Sequence, residues 1–149
     1  MARREISLRE RALAMLARRE HTRVEMARKL SRHSESPEQV EQLLDALVAR
    51  GWLSEARFAE SRANALSRKF GSRKIEYDLR SRGVSDEIVE RSLEQARVRE
   101  LESCRAAWQR KFGAPPRDAA ERGRQMRFLA GRGFCAETVR LVLKAGDAD

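Results

Sequence analysis

The sequence predicts an all-α protein of tandem three-helix repeats, helix-turn-helix-like in the second and third helix of each unit. Three observations predict it. One nine-residue pattern occurs three times: Ser36 to Leu44 reads SPEQVEQLL, Ser85 to Leu93 reads SDEIVERSL, and Cys135 to Leu143 reads CAETVRLVL, at spacings of 49 and 50 residues. A Glu, a Val and a Leu hold their places in each copy (Glu38, Val40, Leu44; Glu87, Val89, Leu93; Glu137, Val139, Leu143), and self-similarity at a fixed period of this length marks stacked repeats. Apolar residues elsewhere recur at helical spacing. The alternating apolar and polar runs of strands are absent. Stacked repeats present an extended surface rather than one pocket. Units of about fifty residues are small, so neighbours are expected to share cores.

The units are expected at residues 1–51, 52–97 and 98–146. In unit one, Leu8, Ala12 and Leu16 mark the first helix and Val24, Ala27 and Leu30 a short second. Ser36 caps the third, Pro37 occupies its first turn, and Val40, Leu43, Leu44 and Leu47 give the i, i+3, i+4, i+7 stripe of a packed helix. Gly51 suits a left-handed helix stop. Unit two opens with Ser54 as cap and a stripe of Ala59, Ala63, Leu66 and Phe70 that Gly71 is expected to stop. Ile75 and Leu79 mark a second helix ending at Gly83, and Ser85 caps a third that buries Ile88, Val89 and Leu93. Unit three repeats the plan with Leu101, Cys104, Trp108 and Phe112 before Gly113, and a second helix ending at Gly133. It adds a loop around Pro115-Pro116, because paired prolines forbid helix. Unit one has no Gly in its Arg32-His33-Ser34 joint, and the tail Gly146 to Asp149 is expected to fray.

Charge follows the repeat. The 149 residues carry 32 Lys and Arg against 23 Asp and Glu, a net charge of +9, and only five of the cations are Lys. Arg18 to Arg32 holds six basic and two acidic residues, Arg68 to Arg82 again six and two, and Arg105 to Arg132 eight and two. The end of each first helix and the whole second helix are therefore basic. The third helices of units one and two are acidic (Glu38, Glu41, Asp45; Asp86, Glu87, Glu90, Glu94), whereas that of unit three carries Arg140 and Lys144. Stacking would align the basic segments into a stripe that meets phosphates or an acidic groove, each Arg forking onto anionic oxygens. The plainer reading is three separate solvated helix faces. The candidate contact surface is Arg68, Lys69, Arg73, Lys74, Arg80, Arg82, Arg110, Lys111, Arg124 and Arg127. Such contacts position a protein on a strand without reading bases.

Other classes find little support. Cys104 and Cys135 lie far apart and neither belongs to a CxxC, and His21 and His33 are remote from both. No metal spacing results, and two buried reduced thiols are expected. No Gly-rich phosphate loop, HExxH or GxSxG occurs, and the carboxylates are placed on amphipathic faces opposite the apolar stripes. No catalytic residue, cofactor or metal is expected. Trp52 and Trp108 could stack on bases, but both flank apolar helix positions and are expected in the core. The basic start is interrupted by Arg9, Glu10 and Arg11, unlike a signal peptide, and no run approaches a membrane span. The expectation is a cytoplasmic monomer.

The segment LSEARFAESRANALSRKFGSRKIEYDLRSRGV, Leu53 to Val84, resembles the signature of the RecX family of bacterial recombination regulators. The matching elements are Arg57-Phe58-Ala59, the basic run before Gly71, Ile75, Leu79 and Arg82-Gly83-Val84; Val40 to Leu53 and the third unit fit as well. Ser54-Glu55 stands where that family commonly has two acidic residues, a change confined to a helix cap. The resemblance implies three-helix repeats stacked into an elongated, curved molecule. It also implies a partner, the RecA filament on single-stranded DNA, whose ATPase, strand-exchange and coprotease activities it would suppress. Binding to single- and double-stranded DNA without strong sequence preference is implied too. Two alternatives stand beside this reading: a helix-turn-helix DNA-binding protein acting in transcription or on the nucleoid, and a protein adaptor that never touches DNA.

Overall fold

In the computed structural model, which describes residues 4–146, every regular element among the described residues is helical. Unit one comprises α1 (Leu8–Arg18), α2 (Arg23–Leu30), a single 3-10 turn at Ser31–His33 in place of a Gly joint, and α3 (Pro37–Ala49). Then follow α4 (Glu55–Leu66), α5 (Ser72–Ser81), α6 (Asp86–Lys111), α7 (Ala119–Gly131) and α8 (Ala136–Gly146). Ser7, Thr22, Ser36, Ser54 and Asp118 each accept a hydrogen bond from the backbone N–H three residues on, satisfying one orphan donor of the helix start. Ser85 stands at the cap position of α6 without making that bond. The expected fraying lies, apart from Gly146, outside the described residues.

Two helix stops are built alike. Gly83 and Gly133 adopt φ of +81° and +87°. The next N–H then reaches back, Val84 to the Leu79 carbonyl (3.2 Å) and Phe134 to that of Leu129 (3.3 Å). Val84 and Phe134 are thereby turned into the core, an apolar contact that frequently accompanies this motif.

The structure corrects several expectations. The third helix of unit two and the first of unit three are one continuous helix, α6, because Glu94 to Leu101 contains no Gly, Pro or cap to stop it. Gly71 does not stop α4, which ends at Leu66; it is extended (φ −89°, ψ 177°) and starts α5. The cores are not shared: buried apolar side chains form three clusters, one running from Ala12 to Leu53, one from Phe58 to Ala96 and one from Cys104 to Leu143. Trp52 is 41% exposed, with the Arg9 and Arg50 guanidiniums 5.7 and 5.1 Å from its ring centre. Leu53 fills the core instead, its N–H also reaching the Leu47 carbonyl (3.2 Å). Trp108, by contrast, is buried as expected, its indole N–H donating to Gln125 Oε1 (2.8 Å).

The thiols divide likewise. Cys104 is fully buried, and burial, with the nearby Glu100 charge, pushes its pKa up to about 12. It is an inert apolar filler. Cys135 is only half-buried, its Sγ 3.4 Å from Ser72 Oγ.

The order of units is linear. The C-terminal end of α5 meets unit one, where Gly83 faces Val24, and its N-terminal end meets unit three, where Gly71 faces Gly133. These two joints differ in kind. The first is polar: Arg57 donates to Glu20 (2.9 Å) and to the Gly51 carbonyl (2.7 Å). The second is a backbone weld, described below, and α6 runs straight through it.

Unit one carries an acid-sensitive cluster. The Arg19 guanidinium, with Lys29, holds Glu25 down to about 2, and burial holds His21 below its ordinary value. In both cases the folded state binds fewer protons than the unfolded chain, so acid favours unfolding. The loss is expected to begin as pH falls through 6.5, where unfolded His titrates, and to deepen below 4.5 until Glu25 protonates near 2. Thermal melts across this range should show Tm falling with pH, and Glu25→Gln should flatten the lower part of the curve. A flat profile in the unmodified chain would contradict the assignment.

Candidate nucleic-acid interface

Among the described residues, α5 is the only α-helix with no acidic residue in its first turn; it places Arg73 and Lys74 there. Cations at a helix N-terminus oppose the macrodipole, at about 0.3–1 kcal/mol each. Compensation comes from inside. Glu100 on α6, 94% buried, accepts from the Ser72 N–H and hydroxyl (3.0 Å each) at the start of α5. It also accepts from the Cys135 N–H (3.3 Å) and the Thr138 hydroxyl (3.4 Å) at the start of α8. One carboxylate thus faces two positive helix ends, and no Lys or Arg pairs with it. The expectation that carboxylates lie on solvated faces fails at this residue. Cys135 stands where the other two repeats have Ser, and Glu100 accepts from its backbone N–H, the donor that the Glu of a capping box would take.

Two further backbone donors at the start of α5 bond to unit three. Gly71 N–H donates to the Arg132 carbonyl (2.9 Å) and Arg73 N–H to that of Gly133 (3.0 Å). Orphan donors of one helix meet orphan acceptors following another. Both glycines are required by this approach: a Cβ on Gly71 would lie 2.5 Å from Gly133 O and Phe134 backbone atoms, and one on Gly133 would lie 2.5 Å from Lys74 Cβ.

With the buried side so arranged, the outer side is free to be cationic. Arg68 and Lys69 occupy the α4–α5 turn, Arg73 and Lys74 the first turn of α5, and Arg110 and Lys111 the last turn of α6. The six are exposed, and none forms an ion pair. Aromatic rings tie them together across the joint. Lys74 Nζ sits 4.3 Å from the Phe70 ring centre, and Arg132 bridges Phe70 (5.3 Å) and Phe128 (5.1 Å). Lys111 Nζ lies 5.4 Å from Phe128, and Arg110 donates to the Arg68 carbonyl (3.3 Å). Each cation–π contact stabilises by about 0.5–1 kcal/mol at such exposure, but no carboxylate neutralises the patch. Lys111 and Arg124 also line one cleft beside the Pro115 loop.

The ten sequence-derived cations therefore divide. Arg68, Lys69, Arg73, Lys74, Arg110 and Lys111 form the patch, with Arg124 at its edge. Arg127 lies further along α7, its guanidinium folded against Gly123. Arg80 and Arg82 sit at the other end of α5 and are neutralised. Arg80 pairs with Glu76 (3.2 Å), Asp86 and Glu90 (3.5 Å), and Arg82 with Asp78 (3.0 Å), which also takes both arms of Arg62 (2.9 Å each). Two residues were missed: Arg132, which bridges the rings, and Tyr77, 77% exposed one turn along α5 from Arg73 and Lys74. An exposed aromatic among unpaired cations suits stacking on a nucleobase. The signal for Tyr77 was present, since it falls off the Ile75–Leu79 stripe.

The fold and this patch define a three-helix repeat protein that presents a basic, aromatic-studded surface; among the described residues no group of His, Cys, Asp and Glu is placed to hold a metal ion, and no helix is long and apolar enough to cross a membrane. Comparison with known proteins narrows the class. Profiles described as RecX first, second and third three-helix domain match residues 9–47, 54–93 and 99–143, the last beginning within α6. The chain belongs to the RecX family. It is 46% identical over 143 residues to the regulatory protein RecX of Leptothrix cholodnii, covering 96% of this chain and 91% of that one. With the RecX of Ralstonia nicotianae it shares 39% over 148 residues, covering 99% and 93%. A crystal structure of RecX from Lactobacillus salivarius superposes with a TM-score of 0.76 at 18% identity, covering 95% and 96%, a likeness of fold.

Proposed function

We propose that this protein is a non-enzymatic, cytoplasmic regulator that binds the RecA filament on single-stranded DNA and restrains its ATPase, strand-exchange and coprotease activities. Membership of a family of regulatory proteins supports the regulatory role. The single observation that carries the surface is the run of unpaired cations from Arg68 to Lys111, stitched across the joint of units two and three by Phe70, Arg132 and Phe128. Folding leaves that charge uncompensated, so a polyanionic partner would gain from it. Fixed on two units that share α6, the patch would hold its spacing against a strand or filament. No proton transfer or nucleophile is required: restraint of the filament would follow from occupying it as a monomer.

The test is DNA-dependent ATP hydrolysis by RecA with purified protein added. Inhibition at or below equimolar amounts, with strand exchange reduced in parallel, is expected. An unchanged ATPase and unchanged strand exchange would remove the proposal.

A further inference from the structure

A second surface, in unit one, has different chemistry. A groove runs between α1 and the α2 to 3-10 segment. Its floor is aliphatic: Ile6, half exposed, Met15 and the core residue Leu30. Its α1 wall is one helical face, Arg11, Ala14, Met15 and Arg18 at i, i+3, i+4 and i+7. Arg32 faces it from the other side, with His33 beside it.

The charges of this groove do not cancel. Glu10 is paired with Arg4 (3.0 Å), and Lys29 with Glu25 (3.2 Å). Arg11, Arg18 and Arg32 form no ion pair, so three guanidiniums rim an apolar floor with no free carboxylate among the lining residues. A face that simply meets water needs no such floor. A phosphate strand would suit the rim but not the floor, which has no Phe, Tyr or Trp for a base to stack on. The occupant that satisfies both is a helix with apolar residues along one face and Asp or Glu flanking them. Met15, unbranched and polarizable, adapts to varied apolar anchors.

We propose that this groove docks an acidic, amphipathic helical segment of a protein partner. The site is separate from the basic patch of units two and three, so it gives the protein two independent attachments, one for a polyanion and one for an acidic helix.

The probe is a fluorescein-labelled peptide with Leu at helical i, i+3, i+7 positions and Glu elsewhere, titrated with the full chain and read by fluorescence anisotropy. A peptide of the same composition with its Leu residues dispersed is the comparison. Ordered peptide should bind at least about tenfold tighter than the dispersed one. Ala14→Arg supplies a test of sign. It adds a positive charge on an exposed position but fills the groove, so docking predicts weaker peptide binding and plain charge attraction predicts tighter. Arg73→Glu with Lys74→Glu should leave peptide binding unchanged. Equal binding of both peptides, tighter binding by Ala14→Arg, or displacement of the peptide by oligo-dT would each overturn the proposal. So would a concentration-dependent dimer in sedimentation that the ordered peptide dissolves, which would make a second copy the occupant.

Discussion

Gly71→Ala should destabilise the protein by about 3 kcal/mol, seen as a lower urea midpoint, although the residue has ordinary extended dihedrals. The effect is steric. A methyl group there would lie 2.5 Å from the Gly133 carbonyl oxygen and from Phe134 N and Cα, all backbone and unable to swing aside. The units must then separate, breaking the Gly71–Arg132 and Arg73–Gly133 hydrogen bonds and opening the cage around Glu100. A buried carboxylate deprived of donors loses the full benefit of those bonds, about 1–3 kcal/mol for each unsatisfied group.

Other glycines make this a graded experiment. Gly131 has open space around it and lies within α7, so Gly131→Ala should be neutral or stabilise by about 0.5 kcal/mol. Gly51 is open too but has φ +73°, so Gly51→Ala reports backbone strain alone, about 1 kcal/mol. Gly133 combines φ +87° with the Lys74 clash and should match or exceed Gly71. The order Gly131, Gly51, Gly71, Gly133 is the expected result of urea melts. A Gly71→Ala protein as stable as its parent would show that the weld is not tight.

This joint also marks where sequence reading stops. The repeat, the five capped helix starts and the Gly stops are local, set by residues within one turn of each other, and periodicity exposes them. Glu100 looks like any charged residue in a helix of Glu, Gln and Arg; only the meeting of two helix N-termini, 28 and 35 residues away in sequence, makes its burial tolerable. Equal spacing of the three copies suggested equal units, but spacing carries no information on whether the chain stops between them, and α6 continues. Trp52 is misplaced because hydrophobicity favours burial, whereas its ring lies exposed between Arg9 and Arg50 and Leu53 takes the inward place. The basic segments were visible by counting. Which cations are neutralised was legible only in part: Glu76–Arg80 and Asp78–Arg82 are i,i+4 pairs, whereas Asp86 and Glu90 reach Arg80, and Arg62 reaches Asp78, only through folding.

The second large effect follows from that division. Reversing Arg68, Lys69, Arg73 and Lys74 to Glu together should weaken binding to single-stranded DNA by at least about a hundredfold at moderate salt. Each lost phosphate contact should also flatten the log–log salt dependence by about 0.7 on a single strand. Stability should change little, because the lost Lys74–Phe70 cation–π contact is offset by the gain at the helix start. All four residues are exposed and make no ion pair, and Glu in the first turn of α5 favours the macrodipole that Arg73 and Lys74 oppose. Arg80→Glu should do the reverse: it places a fourth carboxylate beside Glu76, Asp86 and Glu90, lowering stability while DNA binding stays near that of the parent. Tyr77→Ala isolates stacking, with single-stranded DNA expected to lose more affinity than duplex, whose bases are already stacked. Circular dichroism and DNA titrations at two salt concentrations read all three variants. If the quadruple reversal binds DNA as its parent does while keeping its helical content, the patch is not the contact surface, and an adaptor that never touches DNA becomes the better description.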